Sequence, residues 1–135
     1  MASERTVTIT TDTDVVTART VGRELAAHIG FSRGDQTVIA AAISEIARNI
    51  LTYARTGEVR IRTEADGESS AVVIVARDQG PGIPDIEKAM QDGWTTSGGL
   101  GLGLSGSKRL MDEFDIVSGP GRGTVITMKK WRHRG

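Results

Sequence analysis

Apolar and polar positions along the 135 residues follow two periods, and each change of period marks a change of element. Arg5 to Thr11, RTVTITT, alternates and is rich in β-branched residues, which predicts a strand. Val15, Ala18, Val21, Leu25 and Ile29 then recur at helical spacing, with Asp12 or Thr13 expected as the cap and Gly30 as the stop. Beyond the turn FSRGD, Ile39, Ile43, Ile46, Ile50 and Tyr53 form the stripe of a second helix, expected over about Asp35 to Ala54. Gly57 opens a hairpin: Glu58 to Glu64 alternates, ADGES turns, and Ser70 to Arg77 returns. Within the return strand AVVIVA, Ala71 to Ala76, is apolar without alternation, which predicts a central strand covered on both faces or nearly so. Pro84 suits the first turn of a helix running to about Gln91. Asp92 to Gly103 has no period and reads as loop, and Leu104 to Glu113 is helical. Phe114 to Ser118 and Gly123 to Lys130 form a closing hairpin around GPGRG. The order β, αα, ββ, α, α, ββ predicts an α/β (α+β) two-layer sandwich, with helices on one face of a mixed, mostly antiparallel sheet.

Composition narrows the function. The length fits one domain over residues 1–135, large enough to bury a real core. Lysine plus arginine and aspartate plus glutamate each total 17, and the zero net charge argues against bulk nucleic-acid or membrane binding. The absence of cysteine removes disulfides, thiolate zinc sites and thiol nucleophiles. No apolar run approaches spanning length and MASERTVTITT has no signal core, so a cytoplasmic protein is expected.

Glycine carries the strongest chemical signal. Eleven of the 17 glycines fall between Gly80 and Gly123, so the backbone there is free to turn sharply or approach a ligand closely. Gly99, Gly101 and Gly103 alternate with Leu100 and Leu102 ahead of a helix start. Backbone N–H groups and the helix N-terminus can hold an anion there, with Lys108 and Arg109 a turn inside. A flexible surface loop is the competing reading, against which leucine is a poor choice for a solvated linker. Gly101 to Gly106 also fits G-x-G-x-x-G, but TTSGG rather than a strand precedes it. Neither a P-loop nor the eukaryotic kinase motifs are present. Asp78 follows the most apolar strand, with Gly80 and Gly82 behind it. This D-x-G-x-G is either an Asx-type turn or a carboxylate placed to accept from an exocyclic amino group. Glu45 and Asn49, four apart, share a helix face beside the isoleucine stripe. They are either an exposed polar edge or a carboxylate and an amide looking into a pocket. His28 and His133 form no catalytic pair, and KKWRHRG reads as a solvated basic tail. Trp94 is either core or a partner contact.

Taken in order, Glu45-x-x-x-Asn49, Asp78-x-Gly80-x-Gly82, the Gly99 to Gly103 repeat and Gly123-Thr124 resemble the N, G1, G2 and G3 boxes of the GHKL (Bergerat-fold) ATPase/kinase superfamily. SEIARNI, DQGPGIPDI and GGLGLGLSGSKRLMDEF look closer still to its anti-sigma-type serine/threonine switch kinases. The resemblance covers nearly the whole chain and implies ATP and Mg²⁺ as cofactors. It implies that Asp78 accepts from the adenine amino group with help from Thr124 through water. It implies that Asn49 holds Mg²⁺, that Gly80 and Gly82 let the backbone fold over the nucleotide, that the lid glycines Gly99, Gly101 and Gly103 wrap the β- and γ-phosphates with Lys108 nearby, and that Glu45 is the general base. The partners it implies are STAS-domain antagonist proteins in a stressosome-like complex, with a PP2C-type phosphatase or a sigma factor as further partners. The alternative role is a nucleotide-gated protein that acts by docking.

Overall fold

The computed structural model describes residues 3–66, 69–80, 103–119 and 121–132. In chain order the elements are β1 (Glu4–Ile9), α1 (Asp12–His28), α2 (Arg33–Tyr53), β2 (Gly57–Asp66), β3 (Ser69–Asp78), α3 (Gly103–Leu110), β4 (Glu113–Gly119) and β5 (Gly123–Arg132). The five strands form one sheet in the order β1-β2-β3-β5-β4. All four pairings are antiparallel, which narrows the mixed sheet expected from the sequence. Helices α1 and α2 pack on one another and against the sheet, and α3 packs on α2. The helix expected from Pro84 and the loop from Asp92 lie outside the described residues, apart from Gly103 at the start of α3.

Local chemistry sets the helix ends. Thr11, not Asp12 or Thr13, caps α1: its hydroxyl accepts from the Asp14 N–H, and the Asp14 carboxylate accepts in return from the Thr11 N–H at 3.0 Å. This capping box ends β1 at Ile9, two residues earlier than the alternation alone predicts. Ser32 caps α2 through the Asp35 N–H at 3.1 Å, so the helix starts at Arg33. Arg55 closes it in the left-handed region, φ 68, with its N–H on the Ile50 carbonyl.

The core lies between the helices and one face of the sheet. Ile39, Ile43, Ile46 and Ile50 of α2 are buried against Ile9, Val59, Ile61, Val72, Ile74 and Ile126. The unbroken apolar run of β3 has a different explanation on each face. Val72, Ile74 and Ala76 face the helices, while Ala71 and Val73 are buried on the other face, which no described helix covers. Val73 lies in register between Arg62 and Lys129. Glu64 joins these two cations, at 3.0 Å from Arg62 and 2.9 Å from Lys129, so their aliphatic stems lie along the strand. The expected second cover of β3 is therefore a roof of charged side chains.

The C-terminal segment is not a solvated tail within the described residues. It extends β5 to Arg132. The Trp131 N–H donates to Asp112 at 2.7 Å, its ring lies 4.1 Å from Lys129 Nζ, and Arg132 Nε donates to the Gly30 carbonyl at 2.9 Å. Lys130 Nζ reaches the Leu110 carbonyl at the end of α3, where a cation suits the exposed carbonyls of a helix terminus.

Candidate functional site

Helix α2 brings Glu45 and Asn49 inward. Their relative exposures are 3% and 1%, so the exposed-edge reading of this pair does not hold. The reason is tertiary: α1 and the sheet pack on α2 and α3 adds a further side, widening the buried arc beyond the isoleucine stripe. Glu45 Oε1 accepts from the Arg48 guanidinium at 3.2 Å, and Arg48 sits at the rim of this buried region. Among the described residues Asn49 has no such partner: neither its amide oxygen nor its amide nitrogen meets a hydrogen-bonding group. An orphaned buried amide costs about 1–3 kcal/mol, and a native protein retains one where water, an ion or a ligand completes it. A neutral amide oxygen fits Mg²⁺, which takes oxygen ligands and keeps most of its waters and phosphate contacts, so a single protein ligand suffices.

The end of β3 supplies the second half of the site. Asp78 is 4% exposed, and burial pushes its carboxyl above the usual aspartate range, while the backbone N–H groups of Gly80 and Thr124 act the other way. The Gly80 N–H donates to Asp78 Oδ1 at 2.9 Å, so the Asx-type turn read from D-x-G is present at the pocket wall. Gly80 is required by packing: a Cβ there would come within 2.5 Å of the Ala54 Cβ and 3.0 Å of the Tyr53 carbonyl oxygen. The chain after β3 is thus seated on the C-terminal end of α2, one turn beyond Asn49. Gly123, with φ +76, precedes Thr124, and a Cβ on it would collide with the Asp78 carbonyl oxygen. Thr124 pairs with Asp78 across the ladder and is 1% exposed. Its hydroxyl lies 2.8 Å from that of Ser118 in β4.

The structure therefore brings together Glu45 and Asn49 on one helix face, and Asp78, Gly80 and Thr124 at one strand end that abuts the same helix. Gly103 begins α3, whose Leu104 is fully buried and whose Lys108 is exposed in the last turn. Lys108 lies about 7 Å along the axis from Gly103, and helical side chains tilt back toward the N-terminus. Gly82, Gly99, Gly101, Trp94 and His133 lie outside the described residues. Ser118 and Arg48 escaped the sequence reading. Arg48 carried a signal, since it lies three residues from Glu45 on one helix; Ser118 carried none until the strand order was known. No helix among the described residues is long and apolar enough to cross a membrane.

Comparison with known proteins places the chain in a family. The chain is 52% identical over 131 residues to the serine/threonine-protein kinase RsbT of Bacillus subtilis strain 168, covering 97% of this chain and 98% of that one. It is 34% identical to the anti-sigma F factor of Thermoanaerobacter sp. strain X514, covering 84% of this chain and 82% of the relative. Among solved structures, the RsbU and RsbW domains of Rv1364c from Mycobacterium tuberculosis superpose with a TM-score of 0.62 at 22% identity, over 98% of this chain and 33% of that one. The mycobacterial sensor histidine kinase MprB superposes with a TM-score of 0.52 at 18% identity, over 98% and 100%. At these identities the two superpositions speak for the fold. The profile of the histidine kinase-like ATPase domain matches residues 9–130, a span that holds α2, the end of β3 and Thr124 alike, and the chain belongs to that family.

Proposed function

We propose that this protein is an ATP-dependent serine/threonine protein kinase that phosphorylates an STAS-domain antagonist in a bacterial stress-response sigma-factor cascade. The observation that carries the reading is the pairing on α2 of a buried carboxylate, Glu45, with a buried amide left unpartnered, Asn49. A base and a metal ligand one turn apart suit transfer of a γ-phosphoryl group to a hydroxyl, a reaction that depends mostly on positioning and electrostatics. Asp78 accepts from the adenine amino group, and Thr124 assists through water. Asn49 offers its side-chain oxygen to Mg²⁺, which when bound neutralises phosphate charge. On this reading Gly80 and Gly82 belong to the nucleotide site, Gly99, Gly101 and Gly103 wrap the phosphates, and the α3 N-terminus with Lys108 draws the anion. Glu45 takes the proton of the acceptor hydroxyl as its oxygen attacks the γ-phosphorus and ADP departs. Further partners on this reading are a PP2C-type phosphatase or a sigma factor.

The test is incubation with γ-labelled ATP, Mg²⁺ and STAS-domain proteins encoded beside this one. Label should appear on serine or threonine of one of them and vanish when that residue is changed to alanine. The relatives named anti-sigma factors support a second reading, in which nucleotide gates docking onto a partner. No label on any candidate, together with nucleotide-dependent capture of a partner, would favour docking.

A further inference from the structure

Asp78, Thr124 and Ser118 stand side by side on three adjacent strands, Asp78 opposite Thr124 and Thr124 opposite Ser118. Ser118 Oγ donates to the Gly123 carbonyl at 3.2 Å, and a carbonyl can only accept. The 2.8 Å contact between the two hydroxyls is then satisfied when Thr124 Oγ1 donates its proton to Ser118 Oγ. That arrangement spends the single hydroxyl proton of Thr124 inside the sheet. The Thr124 hydroxyl oxygen, with its proton so committed, and the Asp78 carboxylate both present only acceptors toward a ligand.

We infer that Ser118 is a specificity-determining positioning residue: by taking the Thr124 hydroxyl proton it holds Thr124 as an acceptor and so selects 6-amino over 6-oxo purines. The inference rests on the reading above that Asp78 and Thr124 face the base. A 6-amino group offers protons to such an edge. A water that donates one proton to Thr124 has its second proton for the unprotonated adenine N1. In a 6-oxo purine the oxygen faces the Asp78 and Thr124 acceptors and is repelled, and N1 carries a hydrogen, so the water must turn to accept from it. A buried site built with one polarity rejects an analogue that leaves its groups unpaired. Without Ser118 the Thr124 hydroxyl is free to turn and donate, and the rejection weakens.

The experiment compares ATP with ITP, which differ at the 6-position in this way, by calorimetric titration of wild type, Ser118→Ala and Ser118→Thr. Wild type should prefer ATP. Ser118→Ala should lower the ITP-to-ATP ratio of dissociation constants at least about fivefold, the change expected from one hydrogen bond of about 1 kcal/mol. Ser118→Thr, which keeps the hydroxyl, should restore the wild-type ratio. Thermal melts of the nucleotide-free variants separate a general loss of structure, which lowers both affinities together and leaves the ratio unchanged. An unchanged ratio in Ser118→Ala overturns the role of Ser118 while the base-binding reading stands. A wild-type protein indifferent to ATP and ITP overturns both.

Discussion

Asp78 and Thr124 lie directly opposite each other in the β3–β5 ladder, and Gly123 is what lets the two strands meet there. Each residue is almost fully buried. Burial of the Asp78 carboxylate carries a stability cost that the Gly80 and Thr124 N–H groups offset in part and a ligand's donor would offset further.

Asp78→Asn should therefore separate stability from binding. Burial raises the Asp78 pKa, so its contribution to stability is fully present below the ordinary value of 3.8 and is lost as pH rises through the raised folded value. The nucleotide-free variant should melt higher than wild type at pH 7, with the gap closing as pH falls toward 3.8. ATP affinity should drop by roughly 1.5–3 kcal/mol, the scale of a hydrogen bond to a charged group. Calorimetry and melting curves across pH measure both. A variant that binds ATP as wild type does removes Asp78 from the site.

Protonation gives a matching prediction for the wild type. As pH falls through the raised Asp78 pKa, the carboxylate loses its acceptor charge, and ATP affinity should begin to weaken at a higher pH than an ordinary aspartate would produce. The same titration on Asp78→Asn should lack that step.

Asn49→Ala removes an amide whose polar atoms have no partner among the described residues. Burial at this depth normally makes truncation costly, but here the lost contacts are offset by relief of an unsatisfied pair of polar groups, worth about 1–3 kcal/mol. The denaturation midpoint should stay close to wild type, while the Mg²⁺-dependent part of nucleotide affinity disappears. Unaltered Mg²⁺ dependence would show that another group holds the metal.

Glu45→Gln keeps the size of the side chain and removes its basicity. Phosphoryl transfer to the acceptor protein should fall by about 10²–10⁴-fold, the usual range for loss of a general base, with ATP affinity little changed. A protein that works only by docking should show no difference in partner capture between the two forms. Undiminished transfer by the variant would take Glu45 out of the mechanism.

Two glycines in the β4–β5 connection test the close approach at Asp78. Gly121 has φ +72 with open space around the missing Cβ, so Gly121→Ala should cost about 1–2 kcal/mol, that of a left-handed backbone with a side chain. Gly123 has φ +76 and a Cβ there meets the Asp78 carbonyl oxygen, so Gly123→Ala should cost clearly more and also lower ATP affinity. Equal denaturation midpoints for the two variants would contradict the packing argument.

Local periodicity was enough to place the elements, because a helix or strand imprints its own repeat on neighbouring residues. The isoleucine stripe of α2, the i, i+4 relation of Glu45 and Asn49, and Asp78 at the end of an apolar run were all legible in this way, and the ordered set of glycine boxes pointed to the family. Capping was not legible: the sequence pointed to Asp12 or Thr13, and the reciprocal bonds with Asp14 put the cap at Thr11. Three features belonged to the tertiary structure alone. Asn49 became a buried orphan because of what packs around α2; Val73 is covered because Arg62 and Lys129 arrive on either side of it; and Ser118 meets Thr124 because β4 and β5 pair. Each depends on partners brought together by strand order and helix packing, and such non-local contacts leave no period in the sequence.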